Sequence, residues 1–244
     1  RSEAFLTDAH GRDHVTTAKM GFDSSGKIVG FKVDTLANLG AYMSLFSSSV
    51  PTYLYAPLLS GQYNIDNIHC NVRAYYSNTV PVDAYRGAGR PEATYLVERM
   101  METAAREMGM DPAELRRRNF IQSFPHATPV LMEYDAGDFP TILKMAQSSA
   151  DVAGFPARRA EAAARGKLRG IGYSTFIEAC GIAPSNLVGQ LGARAGLYES
   201  ATVRVNATGG LVVMTGSHSH GQGHETSFAQ VVAEMIGIDE SMIE

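Results

Sequence analysis

Apolar and polar positions alternate along several short stretches of the chain, a period of two that is typical of half-buried β-strands. Turn residues at 23–26 and at 207–210 each separate two such stretches. A turn between two β-favouring runs is typical of a hairpin, so the sequence predicts two hairpins. Their strands would lie within VTTAKMGF (15–22), KIVGFKVDTLANLG (27–40), SATVRVN (200–206) and LVVMTG (211–216).

Two more stretches predict strands outside these hairpins. Between residues 65 and 76, five apolar or weakly polar side chains alternate with polar ones. These positions are Ile68, Cys70, Val72, Ala74 and Tyr76. The run LRGIGYSTFIEACG (168–181) is also rich in residues that favour strands. We therefore expect a strand in each stretch.

After Pro91 the apolar period changes to three and four residues, which predicts an amphipathic helix. Proline suits the first helical position, and Gly109 suits the C-terminal end. The apolar positions are Ala93, Leu96, Val97, Met100, Met101, Ala104, Ala105 and Met108. Residues 111–114 have the pattern of a new N-cap, and they predict a short helix that runs toward Phe120. Its arginines, at 116–118, are expected on a solvated face.

Three further helices are predicted, at 140–152, at 156–165 and before Gly237. The last carries Phe228, Val231, Val232, Met235 and Ile236 on one face. Prolines and a glycine interrupt the pattern from 122 onward, so we expect a connecting segment at 122–166 between domains at 1–121 and 167–244. Because hairpins are mixed with helices and do not alternate with them regularly, the predicted fold class is α+β.

Composition narrows the function classes. The 244 residues include 21 basic and 25 acidic side chains, a net charge of −4, and no basic cluster typical of nucleic-acid binding. No apolar run approaches the length of a membrane span. The two cysteines, Cys70 and Cys180, fit a reducing compartment, so we expect a cytoplasmic protein. Because the chain begins with Arg1 and ends at Glu244 just after a turn, we expect it to be part of a longer protein.

The string AYRGAGRPEA (84–93) is the first candidate site. Gly87 and Gly89 allow positive φ or a close approach of the backbone to a ligand. The helix that starts at Pro91 offers an N-terminal end that attracts anions, and Arg86 adds a guanidinium that can bind a planar oxygen group. Alternatively, Arg86 and Arg90 pair with structural carboxylates and the glycines only make a tight turn.

The string GSHSHGQGHETSF (216–228) is the second candidate site, and it has two chemical interpretations. His218, His220 and His224 are spaced so that a divalent metal site is conceivable, although no carboxylate or cysteine completes the set. Alternatively, Gly221, Gln222 and Gly223 present backbone N–H groups and an amide to a phosphate-bearing or pterin-like ligand. A purely structural turn is the third possibility.

At these motifs the chain resembles the molybdenum-binding large subunit of the molybdenum hydroxylases, the family of xanthine dehydrogenase, aldehyde oxidase and aerobic carbon monoxide dehydrogenase. The resemblance covers most of the chain. The matching strings are RSEAFLTDAHGRDH (1–14), DTLANLGAY (34–42), AYRGAGRPEATYLVERMMETAAREMGMDPAELRRRNFI (84–121) and GQGHETSFAQVVAEMIG (221–237).

The resemblance implies a molybdenum–pterin cofactor, in its cytosine dinucleotide form, and iron–sulfur and FAD subunits as partners. It implies that Arg86 orients or electrostatically stabilises a small-molecule substrate, within a substrate loop that includes Tyr85, Gly87, Ala88 and Gly89. The implied cofactor-binding residues are Gly221, Gln222, Gly223, His224, Glu225 and Thr226. No residue is assigned to a separate metal site.

One departure from the family pattern concerns the substrate. Carbon monoxide dehydrogenases have the string AYRCSFR, whose cysteine holds copper, whereas this chain has Gly87 at that position. Without that thiolate we do not expect oxidation of carbon monoxide. Hydroxylation of an aldehyde, an N-heterocycle or a similar carbon centre is expected instead.

Other family parts are missing from the chain. The upstream glycine-rich loop with its glutamine and the downstream catalytic glutamate are absent, and Glu225 is not expected to replace the latter. The isolated chain is therefore expected to be inert and free of cofactor. Two alternatives from other classes are a stand-alone phosphate- or nucleotide-binding module and a zinc hydrolase that uses His218, His220 and His224.

Overall fold

The computed structural model describes residues 2–179, 189, 199–219 and 221–244. The chain folds into two compact units, Arg1–Ala179 and Cys180–Glu244. Helices and small sheets are mixed in the described residues, which confirms the α+β class. Within the part of the chain that is described, no helix is long and apolar enough to cross a membrane. The domain limits predicted from the sequence stay a prediction.

Unit 1 contains a three-stranded sheet in the order β1-β2-β3. It follows a short helix, α1 (Ser2–Thr7). The strands β1 (His14–Phe22) and β2 (Ile28–Asn38) are antiparallel, which confirms the first hairpin, and β3 (Ile68–Tyr75) is parallel to β2. The Asp23 carboxylate accepts hydrogen bonds from two backbone N–H groups of the turn, so it fixes the hairpin connection.

The helix α2 (Arg90–Glu107) contributes a buried face to the main core. Ala93, Val97, Met101 and Ala105 recur every four residues and are all buried, as the apolar period predicted. The next helix, α3 (Pro112–Asn119), begins where the sequence predicted, because the Asp111 carboxylate accepts a hydrogen bond from the Glu114 N–H at 2.8 Å.

A buried ion pair joins α2 to α3 at the centre of unit 1. Arg116 is 0% exposed, and its Nη2 lies 2.9 Å from Oε2 of Glu98, which is also buried. The prediction that Arg116 lies on a solvated face is therefore wrong. Arg117 and Arg118 remain at the surface and both pair with Glu114, within 3.0 Å.

Hydrogen bonds extend this ion pair into a network. The Tyr63 hydroxyl donates to Glu98 Oε1, and the Thr175 N–H donates to Glu98 Oε2 at 2.9 Å. Burial, and then the charge of Glu98, raise the pKa of Tyr63 well above its ordinary value, so its hydroxyl stays protonated and donates. Arg116 also donates to the Tyr173 carbonyl at 3.1 Å. The network thus holds the segment 173–175 against both helices.

The rest of unit 1 contains a minimal hairpin and two helices. The hairpin consists of β4 (His126–Ala127) and β5 (Glu133–Tyr134). The helices α4 (Phe139–Ser149) and α5 (Phe155–Ala164) confirm the two predicted between 140 and 165. The strand predicted at 168–181 is wrong for residues 168–179, which form no strand, and residues 180 and 181 lie outside the described part of the chain.

Unit 2 contains the second hairpin and the last helix. The strands β6 (Ala201–Val205) and β7 (Leu211–Thr215) are antiparallel, as predicted. The helix α6 (His224–Ile236) ends at Gly237, which has the predicted left-handed conformation at φ 78°. A short 3-10 helix follows at Glu240–Met242, and unit 1 contains two more, at Ala56–Leu58 and Val152–Gly154.

The ion pair predicts the stability of two matched variants. Glu98→Gln leaves the Arg116 charge buried without its main counter-charge, so we expect a loss of about 3 kcal/mol in the free energy of unfolding. Glu114→Gln removes a surface partner of two arginines and should lose less than about 1 kcal/mol. Denaturant unfolding of both variants provides the comparison, and equal losses would contradict the central role given to Arg116.

Candidate functional site

The first candidate site is the loop that leads into α2, residues 84–89, which we call the arginine loop. Three successive residues have positive φ: Gly87 at 92°, Ala88 at 35° and Gly89 at 89°. The turn is closed by the Ala88 N–H, which donates to the Tyr85 carbonyl at 2.7 Å. The backbone therefore reverses sharply immediately before the helix, as the two glycines predicted.

Neighbouring atoms leave no room for a side chain at two positions of the arginine loop. A Cβ at Gly87 would lie 2.6 Å from Cγ of Pro91, and a Cβ at Gly89 would lie 2.5 Å from the backbone carbon of Leu54. Both separations are shorter than van der Waals contact. The loop is therefore packed closely against its own helix on one side and against residues 50–54 on the other.

The C-terminal end of the arginine loop is buried, whereas its centre is exposed. Gly89 and Arg90 are buried, whereas Arg86 is exposed and Tyr85 has 63% of its surface exposed. The Arg86 carbonyl accepts a hydrogen bond from Nη2 of Arg12 at 2.5 Å. Arg86 is thus an exposed residue whose backbone carbonyl is held by Arg12.

Arg90 has a structural role, which confirms for this residue the alternative raised from the sequence. Its Nε lies 2.9 Å from Oε1 of Glu178, and its Nη2 donates to the Ala179 carbonyl at 3.2 Å. Nη1 donates to the Gly87 carbonyl at 3.3 Å. Arg90 therefore ties the arginine loop to residues 178–179, a contact that the sequence missed because this segment was assigned to a strand.

The second candidate site is in unit 2, at the start of α6. Gly221 and Gly223 have positive φ, at 86° and 82°, and Gly223 is the N-cap of the helix. The Gln222 side-chain amide donates to the His218 carbonyl at 3.0 Å and lies 2.7 Å from Nε2 of His224. The Gln222 side chain thus contacts a residue on each side of it in the sequence.

The other predicted residues of this second site are exposed or half-buried. The His224 ring stacks on Phe228 with 4.6 Å between centroids. The Ser219 hydroxyl donates to Glu225 at 3.2 Å. The pKa of Glu225 is lowered, chiefly by a hydrogen bond from the backbone N–H of Glu225 itself, then by the Ser219 hydroxyl and by the nearby His224. Thr226 is exposed in the first turn of the helix.

The metal interpretation of this site involves a residue that is outside the described part of the chain, His220. Among the described residues, no group of three or more histidine, cysteine, aspartate or glutamate side chains could hold a metal ion. Gln222 connects the other two predicted ligands indirectly, because its side chain bridges the His218 carbonyl and the His224 ring.

Comparison with known families gives two matches, and together they cover most of the chain. Residues 1–120 match one family described as a molybdopterin cofactor-binding domain, and residues 145–244 match a second family with the same description. Each matched range includes one of the two candidate sites.

Individual relatives and solved structures agree with these matches. The carbon monoxide dehydrogenase large chain of Hydrogenophaga pseudoflava is 37% identical over the whole chain, and the nicotine 6-hydroxylase large subunit of Paenarthrobacter nicotinovorans is 31% identical over 98% of it. The crystal structure of quinoline 2-oxidoreductase from Pseudomonas putida 86 superposes with a TM-score of 0.85 at 30% identity and covers 99% of the chain. The chain spans 29–31% of the length of these three proteins.

The packing around the arginine loop predicts a difference between two glycine substitutions. Gly89→Ala combines a strained φ with a backbone clash, so we expect a loss of about 3 kcal/mol or more in the free energy of unfolding. Gly109→Ala is the matched control, because Gly109 also has positive φ but a Cβ there meets no atom within 4 Å among the described residues. It should lose only about 1 kcal/mol. Equal losses in denaturant unfolding would show that the loop is not closely packed.

Proposed function

The chain belongs to the molybdenum hydroxylase large-subunit family, and from this premise we propose that it forms part of the cofactor- and substrate-binding region of a molybdenum-dependent oxidoreductase. Its relatives include carbon monoxide dehydrogenase, nicotine hydroxylase and xanthine dehydrogenase subunits. Because the chain spans about a third of their length, we propose that it acts within a longer large subunit and is inert alone.

The loop at 221–226 fits the edge of a pterin cofactor. A Cβ at Gly221 or Gly223 would meet no atom within 4 Å among the described residues, so the space beside this backbone is open. The N-terminal end of α6, a helix of 13 residues, favours phosphate or carbonyl oxygens. The Gln222 amide would exchange its contacts with His218 and His224 for contacts with the cofactor. Glu225 carries a negative charge at this helix end, and that charge would repel a phosphate bound there.

When bound, the molybdenum–pterin cofactor would supply the two-electron oxidation of a substrate carbon. The contribution of this chain is position and charge. The observation that carries the proposal is the position of Arg86, an exposed residue whose backbone carbonyl accepts a hydrogen bond from Arg12 at 2.5 Å. A cation whose backbone is held in place would stabilise negative charge that develops on the substrate, with little reorganisation during the reaction.

The residue after Arg86 supports the choice of substrate class. Gly87 offers no thiolate for Cu(I), and the close contact with Pro91 leaves no room for a cysteine side chain without movement. We therefore propose oxidation at an aldehyde, an N-heterocycle or a similar carbon centre, and we do not propose oxidation of carbon monoxide.

The catalytic base is assigned to no residue of this chain. Glu225 is exposed, and its hydrogen bonds lower its pKa, which makes its carboxylate a weaker base. Its contacts with the Ser219 hydroxyl and with its own backbone suit an ordinary helix-capping carboxylate. A base from another part of the subunit would be needed.

Three finer features belong to the same proposal. The cofactor would be the cytosine dinucleotide form, and electrons would leave through iron–sulfur and FAD subunits, as the family resemblance implies. A cytoplasmic, reducing location fits Cys70, a free and half-buried thiol in β3.

The proposal predicts the effect of removing the Arg86 charge in the complete enzyme. Arg86→Met should lower kcat/KM about 100-fold or more, because a charge-assisted contact to developing charge is lost, while molybdenum content and thermal stability stay near wild type. Arg99→Met, an exposed arginine on α2, is the matched control and should leave both kinetics and metal content unchanged. If Arg86→Met lowered thermal stability with unchanged kinetics, Arg86 would be a structural residue.

A second prediction separates cofactor binding from the histidine interpretation. Gln222→Ala in the complete enzyme should lower the molybdenum bound per subunit, since the amide is proposed to contact the cofactor. A double alanine variant at His218 and His220 should keep molybdenum. Elemental analysis for molybdenum and zinc measures both. Stoichiometric zinc that is lost in the double variant would instead support the hydrolase interpretation.

A further inference from the structure

Arg12, which lies in neither candidate site, contacts three members of the string 84–93. Its Nη2 donates to the Arg86 carbonyl at 2.5 Å, and its guanidinium carbon lies 4.8 Å from the centroid of the Tyr85 ring. Its Nε lies 3.7 Å from Oε2 of Glu92. One side chain thus contacts the backbone of Arg86, the aromatic residue before it and the first turn of α2.

The carboxylate of Glu92 is placed unusually for a charged group. Its side chain is only 8% exposed, and from the described residues neither of its oxygens accepts a hydrogen bond. A buried carboxylate without hydrogen bonds is unfavourable, so a nearby cation is needed to retain it. The nearby His14 is a poor counter-charge for Glu92, because burial lowers the pKa of its ring and outweighs the opposite effect of the Glu92 and Asp13 charges. Arg12 is therefore the cation that faces Glu92.

The backbone before Arg12 is itself fixed next to the arginine loop. The His10 N–H donates to the Pro81 carbonyl and the Asp83 N–H donates to the His10 carbonyl, both at 2.8 Å. A Cβ at Gly11 would lie 2.5 Å from Cβ of Tyr85. Arg12 also has a positive φ of 60°, which a residue with a side chain rarely adopts. The backbone of residues 10–12 therefore lies directly against the arginine loop, and the Arg12 side chain starts close to the groups that it contacts.

We propose that Arg12 is a positioning residue for Arg86, and that Glu92 is the carboxylate that holds Arg12 in place. The inference rests on the proposed function, because it concerns how the guanidinium of Arg86 is oriented toward a substrate. Arg12 contacts no substrate itself. It fixes the carbonyl of Arg86 and the ring of Tyr85, and the exposed side chain of Arg86 then has fewer orientations available.

Arginine is the residue that can make these contacts together. Its planar guanidinium can lie over an aromatic ring while its edges donate to a carbonyl and face a carboxylate. A lysine ammonium keeps the charge, but it cannot make the same three contacts from one plane. Arg12→Lys should therefore restore only part of what Arg12→Gln loses.

The test uses the complete large subunit in its complex and measures amide hydrogen exchange in the peptide 83–90 together with kcat, KM and molybdenum content. In Arg12→Gln, exchange in this peptide should be about tenfold faster and kcat about tenfold lower, since a hydrogen bond from a charged donor is lost. Molybdenum content should not change. Arg12→Lys should give intermediate values of both.

Two more variants separate the effect from general destabilisation. Glu92→Gln keeps the shape of the side chain and leaves Arg12 in the chain, and it should also accelerate exchange at 83–90. Arg158→Gln is the matched control, because Arg158 also combines backbone hydrogen bonds with a carboxylate partner: it donates to the carbonyls of Ala150 at 2.9 Å and Asp151 at 2.6 Å and pairs with the Asp151 carboxylate. It should change neither loop exchange nor kcat.

Unchanged exchange at 83–90 in Arg12→Gln would overturn the positioning role. Equal acceleration in the Arg158→Gln control would overturn it as well, because the effect would then be general. Faster exchange with wild-type kcat would support the positioning of the loop by Arg12 and would contradict the proposed function of the loop.

Discussion

The buried pair of Arg116 and Glu98 is the interaction on which unit 1 depends. Glu98 lies in the middle of α2, and it is bound at the same time by Arg116 of α3, by Tyr63 and by the Thr175 backbone. A charge pair buried to this degree is stabilising only while all its partners are in place. The pair therefore fixes the position of α2, and the arginine loop is the segment that leads directly into this helix.

Much of the fold could be predicted from local patterns, because hairpins and amphipathic helices are encoded by neighbouring residues. The exceptions involve contacts between distant residues. Three consecutive arginines span about 200° of the circumference of a helix, so they are unlike a single solvated face, and one of them is readily directed toward the core. Arg116 shares a face with the buried Ala113, and Glu98 interrupts the apolar face of α2, a pair of signals that could have identified the contact.

The candidate site was predictable in its backbone and less so in its side-chain contacts. Gly87 and Gly89 have the positive φ that the sequence predicted, because such conformations are a local property of glycine. The partners of the loop were missed, since Arg12 and Glu178 lie about 75 and 90 residues away and no local pattern identifies them. The cofactor was identified from the family resemblance, because glycine-rich helix starts bind many anionic groups.

The central claim is that a rigid loop presents Arg86 to a substrate of the molybdenum–pterin cofactor. A crystal structure of the complete large subunit with its cofactor and a substrate analogue measures this most directly. The account predicts an Arg86 guanidinium nitrogen about 3 Å from the analogue, with the backbone of 84–89 in the conformation described above. An Arg86 side chain turned away from the analogue and paired with a protein carboxylate would contradict it.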